Sequence, residues 1–162
     1  MNAESTTAVH PRPENWLAIL ELSVQEVFEI MLGCQVEPLG KDEEQPRSGE
    51  FTAMVGLAGA LCGILTVCCG AEAAKHIATR MLGPEIANSE GQVWDALGEI
   101  CNMIAGNFKN KLAGMDGRCM LSVPTVISGG EYSFHSLADG DSMSTVLLFQ
   151  GLPVIVRLEL HS

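Results

Sequence analysis

Basic residues are scarce in this sequence. It holds 9 lysines and arginines against 20 aspartates and glutamates, which gives a formal net charge of −11 over 162 residues. Binding to nucleic acid needs clustered lysines and arginines that contact phosphates, and the sequence has no such cluster. The negative charge also disfavours adhesion to anionic membrane surfaces. We therefore expect neither nucleic acid nor a membrane among the partners of this protein.

Metal-binding spacings are also missing. No two of the six cysteines form the C-x-x-C spacing of a zinc knuckle, and the four histidines are scattered along the chain. The cysteines fall within predicted strands and helices, where buried free thiols of a cytoplasmic protein are the simplest interpretation. We expect no metal ion held by this chain alone.

Targeting and membrane-spanning segments are not recognisable either. The first fifteen residues are polar and interrupted by prolines, unlike a secretory signal, so we expect a cytoplasmic location. The longest apolar run, residues 51–71, is broken by four glycines and carries two threonines. This composition favours a buried hairpin over a helix that faces lipid.

What the chain does have is the composition of one globular domain, with 47% apolar and 18% charged residues. We expect a flexible tail at residues 1–12 and a single domain at 13–162. Hydrophobic periodicity and turn residues predict the elements inside it. These are helices at 15–32, 71–82 and from Ser89 to about Gly114, strands at 34–39, 51–57, 61–69 and 119–126, a short edge strand at 132–137, a charged turn or loop at 40–50, and a final hairpin at 143–149 and 152–160.

The order of these elements indicates an internal repeat of one helix-and-strands unit. The segment EVFEIMLG at 26–33 aligns with EICNMIAG at 99–106 without a gap, and each is followed later by apolar strands. We expect two repeats, at about 15–69 and 88–160, linked by the helix at 71–82. The predicted fold is α+β, with a pseudo-twofold repeat and two long helices packed on a mostly antiparallel sheet of about six strands.

A row of polar residues marks one side of the helix at 94–112. At about 100° per residue, Asp95, Glu99, Asn102 and Gly106 fall within a sector of roughly 60°. The opposite side of the helix is apolar and is expected in the core, together with Trp94: Leu97, Ile100, Cys101, Ile104, Phe108 and Leu112.

The simplest interpretation of such a row is the solvated face of an amphipathic helix. Two of its residues argue against that interpretation. Asparagine is a poor helix former, and glycine inside a helix costs about 1 kcal/mol relative to alanine. Gly106 would also let another backbone approach Asn102 closely. The row is therefore a candidate functional site.

The pattern resembles the characteristic helix of the CheC/CheX/FliY phosphatases of bacterial chemotaxis, and CheX is the closest branch. The downstream stretch LSVPTVISGG at 121–130 is similar to the strand and turn that follow this helix in CheX. The resemblance extends from about residue 15 to residue 160. It rests on the spacing of Asp95, Glu99, Asn102 and Gly106, continued through Lys109 and Leu112.

The resemblance implies removal of phosphate from the phosphorylated aspartate of a CheY-like response regulator. Asn102 would orient the attacking water, and Glu99 would dock to a lysine of the partner. Gly106 would permit close approach, and Asp95 and Lys109 would help to bind the partner. The partner would carry the Mg²⁺ that phosphoryl transfer needs, so this chain would require no cofactor of its own.

The first helix departs from this pattern, because Glu29 replaces asparagine at the equivalent position. A carboxylate cannot donate a hydrogen bond and would face a phosphoryl anion. We therefore expect a solvated acidic face here, beside Gly33, and no second catalytic centre. The glycines at 129–130 are expected in a turn that binds no phosphate, since no helix begins after them.

Two alternatives remain open from the sequence. The chain could be a non-catalytic CheX-like module that binds a receiver domain or a flagellar switch component. It could also act as a homodimeric scaffold, since CheX relatives pair sheet edges and the terminal hairpin is long and apolar. We expect a homodimer whichever of these functions is correct.

Overall fold

The computed structural model describes residues 15–39, 50–85, 89–112, 114, 117–130, 132 and 135–161. The predicted tail at 1–12 and nearly all of the charged segment at 40–50 lie outside these residues. The elements in chain order are α1 (Trp16–Leu32), β1 (Glu37–Pro38), β2 (Phe51–Gly59), β3 (Gly63–Cys69), α2 (Ala71–Leu82), α3 (Glu90–Lys111), β4 (Cys119–Leu121), β5 (Thr125–Ser128), β6 (Ser142–Phe149) and β7 (Leu152–Leu160).

Within the described ranges, the strands form one seven-stranded sheet in which every pairing is antiparallel. The strand order is β1-β6-β7-β3-β2-β4, and β5 also pairs with β2. The three helices pack against one face of this sheet, and their buried side chains form one core cluster with those of the strands. The predicted α+β fold is confirmed, with one strand more than expected.

Local sequence signals explain most of the element boundaries. Gly33 ends α1 in the left-handed conformation, with φ of 63°. Ser89 caps α3, because its side chain accepts a hydrogen bond from the backbone N–H of Gln92. The predicted turn of the final hairpin is confirmed, with positive φ angles at both Gln150 (50°) and Gly151 (77°).

The region after α3 differs from the prediction, which placed one strand at 119–126. The structure has two short strands, β4 and β5, that both pair with β2. Pro124 lies between them and cannot donate a ladder hydrogen bond. Ser122 connects this break to β2 through two hydrogen bonds. Its backbone N–H donates to the carbonyl of Gly56 at 2.9 Å, and its hydroxyl accepts from the N–H of Gly56 at 2.8 Å.

Three smaller expectations also changed. The strand predicted at 34–39 is reduced to Glu37–Pro38, and α3 ends at Lys111, before Gly114. The strand predicted at 132–137 lies partly outside the described residues, and those of its residues that are described are not in a strand.

The two faces of the sheet differ less than the alternation in β7 predicts. Val156 and Leu158 are buried under the helices and Arg157 between them is exposed, as expected. Ile155 and Thr52, however, are also buried on the opposite face. The Tyr132 hydroxyl lies 2.6 Å from Oγ1 of Thr52. Tyr132 therefore covers part of the second face.

No helix in the described part of the chain is both long enough and apolar enough to cross a bilayer.

Candidate functional site

The long helix α3 presents the predicted polar row on its outer side. Asp95 and Glu99 are exposed, and Asn102 and Gly106 are half-buried. The opposite side of α3 is held in the core, with five of its side chains completely buried: Leu97, Ile100, Cys101, Ile104 and Phe108. Because this buried side fixes the rotation of the helix, the row has a defined orientation on the surface.

The side chains of Asp95, Glu99 and Asn102 have no polar contact with the part of the chain that the structure describes. Among the described residues, none forms a hydrogen bond or ion pair with the side chain of Asp95, Glu99 or Asn102. Two carboxylates and one carboxamide therefore stand on one helix face with their donors and acceptors available to a partner.

Gly106 and Lys109 continue the row toward the end of the helix. A Cβ added to Gly106 would meet the Cδ1 atom of Leu121 at 3.8 Å, an ordinary van der Waals distance. The structure therefore has room for a methyl group at Gly106. The Nζ atom of Lys109 donates to the carbonyl oxygen of Cys119 at 2.8 Å, which connects the last turns of α3 to β4.

A groove of about 530 Å³ lies beside the first half of the row. One wall is α3, and the other is the break between β4 and β5 with the start of β5. The lining residues are Trp94, Asp95, Gly98, Glu99, Val123, Pro124 and Val126.

Trp94 lies in the α3 wall of this groove, so the prediction that it belongs to the core is wrong. Its side chain is 40% exposed, and its Nε1 donates to Oγ of Ser128 at 3.0 Å. The same hydroxyl donates to Oε1 of Glu90 at 3.2 Å. Trp94 lies beside β5 at the edge of the sheet, where the core ends. Phe108, in the middle of the helix layer, is fully buried as expected.

Val123 is another groove residue that was not among the predicted site residues. It is 85% exposed, in the break between β4 and β5. Pro124 was the available signal, because a proline inside a strand pattern indicates an edge or a break.

The equivalent face of α1 differs from the expected solvated surface. Glu29 and Gly33 are exposed, but Glu26 is held by two donors from α3. The Nζ atom of Lys111 lies 2.7 Å from Oε2 of Glu26, and Nδ2 of Asn107 donates to the same oxygen at 2.9 Å. The hydrogen bonds from Lys111 and then Asn107 lower the pKa of Glu26 below its usual value of 4.5. Glu26 therefore connects the two helices.

Two further observations bear on the choice of site. A second groove, of about 600 Å³, lies along α2 and contains none of the predicted site residues. In the described part of the chain, no group of three or more histidine, cysteine, aspartate or glutamate residues is arranged to hold a metal ion.

Comparison with known proteins identifies the family of this chain. The sequence profile of the family described as chemotaxis phosphatase CheX matches residues 51–147, which is more than half of the chain and includes all of α3. A search of curated proteins finds no match.

Solved structures of CheX proteins share the fold. The chemotaxis protein CheX from Vibrio vulnificus superposes with a TM-score of 0.78 at 20% identity, over 94% of this chain and 100% of that chain. CheX from Desulfovibrio desulfuricans gives 0.78 at 22% identity, over 91% of this chain and 99% of that chain. The CheX–CheY–BeF₃–Mg²⁺ complex from Borrelia burgdorferi gives 0.66 at 21% identity, over 91% and 98%. The profile match and the shared fold together show that this chain belongs to the CheX family of chemotaxis phosphatases.

Proposed function

We propose that this chain is a cytoplasmic hydrolase that removes phosphate from the aspartyl phosphate of a CheY-like response regulator. The observation that carries the proposal is the placement of Asn102 beside Glu99 on the outer face of α3, with no partner for either side chain among the described residues. Membership of the CheX family and the structure of a Borrelia burgdorferi CheX in complex with CheY, BeF₃ and Mg²⁺ support it.

The reaction needs little from the phosphatase. An aspartyl phosphate is an activated acyl phosphate, so hydrolysis requires mainly an in-line water and neutralisation of charge on the phosphoryl oxygens. The water oxygen forms a bond to phosphorus as the bond from phosphorus to the aspartate oxygen breaks. The aspartate leaves as a carboxylate, and both protons of the water end on the inorganic phosphate, which is formed as H₂PO₄⁻. No covalent intermediate on this chain is required.

Asn102 suits the task of holding that water. The carbonyl oxygen of its carboxamide accepts a hydrogen bond from the water, and its NH₂ group donates to a phosphoryl oxygen. A carboxylate at this position could do only the first, and its charge would repel the phosphoryl group. Because α3 is anchored by a fully buried face, the backbone that carries the carboxamide has a fixed position and orientation.

Glu99 suits the task of docking. It lies almost one helical turn before Asn102 on the same face, so a partner lysine paired with Glu99 would bring its phosphoryl group toward the carboxamide. Gly106 would leave room for the partner backbone, and Asp95 and Lys109 would contact the partner at either end of the row. Mg²⁺ would come with the receiver, as would its lysine.

The decisive measurement is release of inorganic phosphate from a phosphorylated receiver in the presence of Mg²⁺. Asn102→Ala is expected to lower kcat roughly 100-fold, within the range for loss of a group that assists proton transfer or orients the nucleophile. Binding to a BeF₃-activated receiver should remain close to that of the wild type. Asn110→Ala is the matched control, since it makes the same change at an exposed position in the last turn of the same helix.

These measurements distinguish the enzyme from the non-catalytic module and test the docking role of Glu99. Equal rates for Asn102→Ala and the wild type would remove the catalytic assignment. Binding without any acceleration of phosphate release would favour the module that only binds a receiver or a flagellar switch component. Unchanged binding by Glu99→Ala would remove the docking role of that residue.

We also propose that the chain forms a homodimer through a sheet edge. Strand β1 pairs only with Leu147 and Leu148 of β6, so the first part of β6 has no strand partner on that side among the described residues. An unpaired edge can pair with a second copy. Light scattering after size-exclusion chromatography would give twice the chain mass of 17.3 kDa, and a monomer would exclude the proposal.

A further inference from the structure

The groove beside the row has walls of two chemical kinds. Trp94, Val123, Pro124 and Val126 supply apolar surface, whereas Asp95 and Glu99 supply two carboxylates, and no lysine, arginine or histidine is among the lining residues. A ligand that fills the groove must therefore satisfy apolar and anionic surface at the same time.

Hydrogen bonds hold the residues on both sides of the groove. The hydrogen bonds from Trp94 to Ser128 and from Ser128 to Glu90 orient the indole ring. On the other side, the two hydrogen bonds between Ser122 and Gly56 hold the break that carries Val123. Little ordering of these walls is then required when a partner binds, which favours affinity.

The floor of the groove lies at Gly98. A Cβ there would lie 3.3 Å from Cβ of Pro124, which is a tight contact, and 3.6 Å from Cγ2 of Val126, which is an ordinary one. Helix α3 and the start of β5 therefore approach closely under the groove. Gly98 is buried, and it lines the groove together with Trp94 and Val123.

We propose that this groove receives a lysine or arginine side chain of the receiver partner, in addition to the lysine that pairs with Glu99. This inference rests on the proposed function and specifies how the partner is selected. The aliphatic stem of the basic residue would lie against Val123 and Pro124, and its cationic end would reach Asp95. Trp94 is 40% exposed, and an indole ring attracts a cation over its face through the ring quadrupole.

Other classes of side chain fit the groove less well. An apolar side chain would bury the carboxylates of Asp95 and Glu99 without a counter-charge. An acidic side chain would meet two carboxylates on a chain with a net charge of −11. A long basic side chain can pack its stem against the apolar residues and pair its charge with the carboxylates. Charge complementarity therefore favours a basic side chain.

The first test inserts a positive charge into the groove. Val123→Lys changes a side chain that is 85% exposed, so the fold should be retained, and Leu137→Lys adds the same charge at a 92% exposed position outside the groove lining. We expect Val123→Lys to raise KM for the phosphorylated receiver about tenfold or more with kcat little changed, because like charges across an interface oppose binding. Leu137→Lys should change KM by less than about twofold.

Substitution of the groove residues that attract a cation should also raise KM and leave kcat little changed. Asp95→Asn and Trp94→Ala are each expected to raise KM several-fold, and the effect of Asp95→Asn should shrink as salt is added. If Trp94→Ala fails to fold, Val123→Lys and Asp95→Asn still decide the outcome, since both positions are exposed.

Fluorescence gives a direct view of the groove. The chain has two tryptophans, one buried and one in the groove wall, so Trp16→Phe leaves Trp94 as the only reporter. Adding BeF₃-activated receiver should change its emission, relative to a variant that lacks both tryptophans and shows only the receiver signal. An emission spectrum of Trp94 that is unchanged at saturating receiver would overturn the proposal.

The outcomes separate this inference from the proposed function. Wild-type KM in Val123→Lys and Asp95→Asn, with activity still dependent on Asn102, would overturn the groove assignment and the partner contact of Asp95, but not the phosphatase. A wild-type protein that binds the receiver but releases no phosphate would overturn the phosphatase, while binding measured on the same variants would still decide the role of the groove.

Discussion

Gly106 offers a substitution whose effects on stability and on function should have opposite signs. It lies inside α3, where glycine costs about 1 kcal/mol relative to alanine because the unfolded chain loses more freedom. The added Cβ would lie 3.8 Å from its nearest neighbour, Cδ1 of Leu121, so no clash offsets the gain. Gly106→Ala is therefore expected to raise the free energy of unfolding by about 1 kcal/mol and Tm by about 2–4 °C.

The same methyl group should impair function. It fills the space beside Asn102 through which we propose that the partner backbone approaches. We expect kcat/KM for phosphate release to fall about tenfold, which corresponds to about 1.4 kcal/mol of lost transition-state stabilisation. Calorimetry and steady-state kinetics on one preparation measure both effects.

Gly98→Ala is the matched control in the same helix. Its Cβ would lie 3.3 Å from Cβ of Pro124, so contact strain should cancel part or all of the propensity gain. A lower Tm for Gly106→Ala would refute the assigned packing around Gly106. A higher Tm with undiminished kcat/KM would show that the partner does not need the space above this residue.

Three further predictions test the core and the charged contacts. Phe108→Ala should lower the free energy of unfolding by about 3–5 kcal/mol in urea titrations, because the ring is fully buried. Burial raises the pKa of Cys101 to about 12, so a thiol reagent at pH 8 should modify exposed Cys62 in the native protein and Cys101 only after unfolding, as mass spectrometry of the labelled peptides would show. The pKa of Glu26 is lowered by Lys111, so its stabilising contribution is present at pH 7 and is lost as the pH falls below 4.5 and through the lowered value. Melting curves should then show Glu26→Gln less stable than the wild type at neutral pH, with the difference shrinking in acid.

Features that depend on neighbouring residues along the chain were predictable from the sequence. The helix at 71–82 was predicted with the bounds that the structure shows, because apolar periodicity and the Gly83–Pro84 stop are local signals. The rotation of α3 was also predictable, since its apolar side must enter the core. These local signals identified the fold class and the row that contains Asn102.

Features that depend on the edge of the sheet were not predictable in the same way. Trp94 has the composition of a core residue, and only the position of β5 at the sheet edge leaves it 40% exposed. Pro124 was a local signal for the break between β4 and β5, but not for the groove that this break helps to form. The groove is formed by the approach of these two segments, which are 30 positions apart in the chain, so no local pattern could reveal it.

The two halves of the pseudo-repeat show how tertiary contacts decide the use of one residue type. Glu26 and Glu99 occupy equivalent positions, yet only Glu26 accepts from two donors, at 2.7 and 2.9 Å. To pair with a lysine of a partner, Glu26 would have to give up those contacts, whereas Glu99 has none to lose among the described residues. Both donors, Lys111 and Asn107, belong to α3 itself. The helix that carries the proposed site therefore engages the carboxylate that a second site on α1 would need, and Glu29 removes the carboxamide as well.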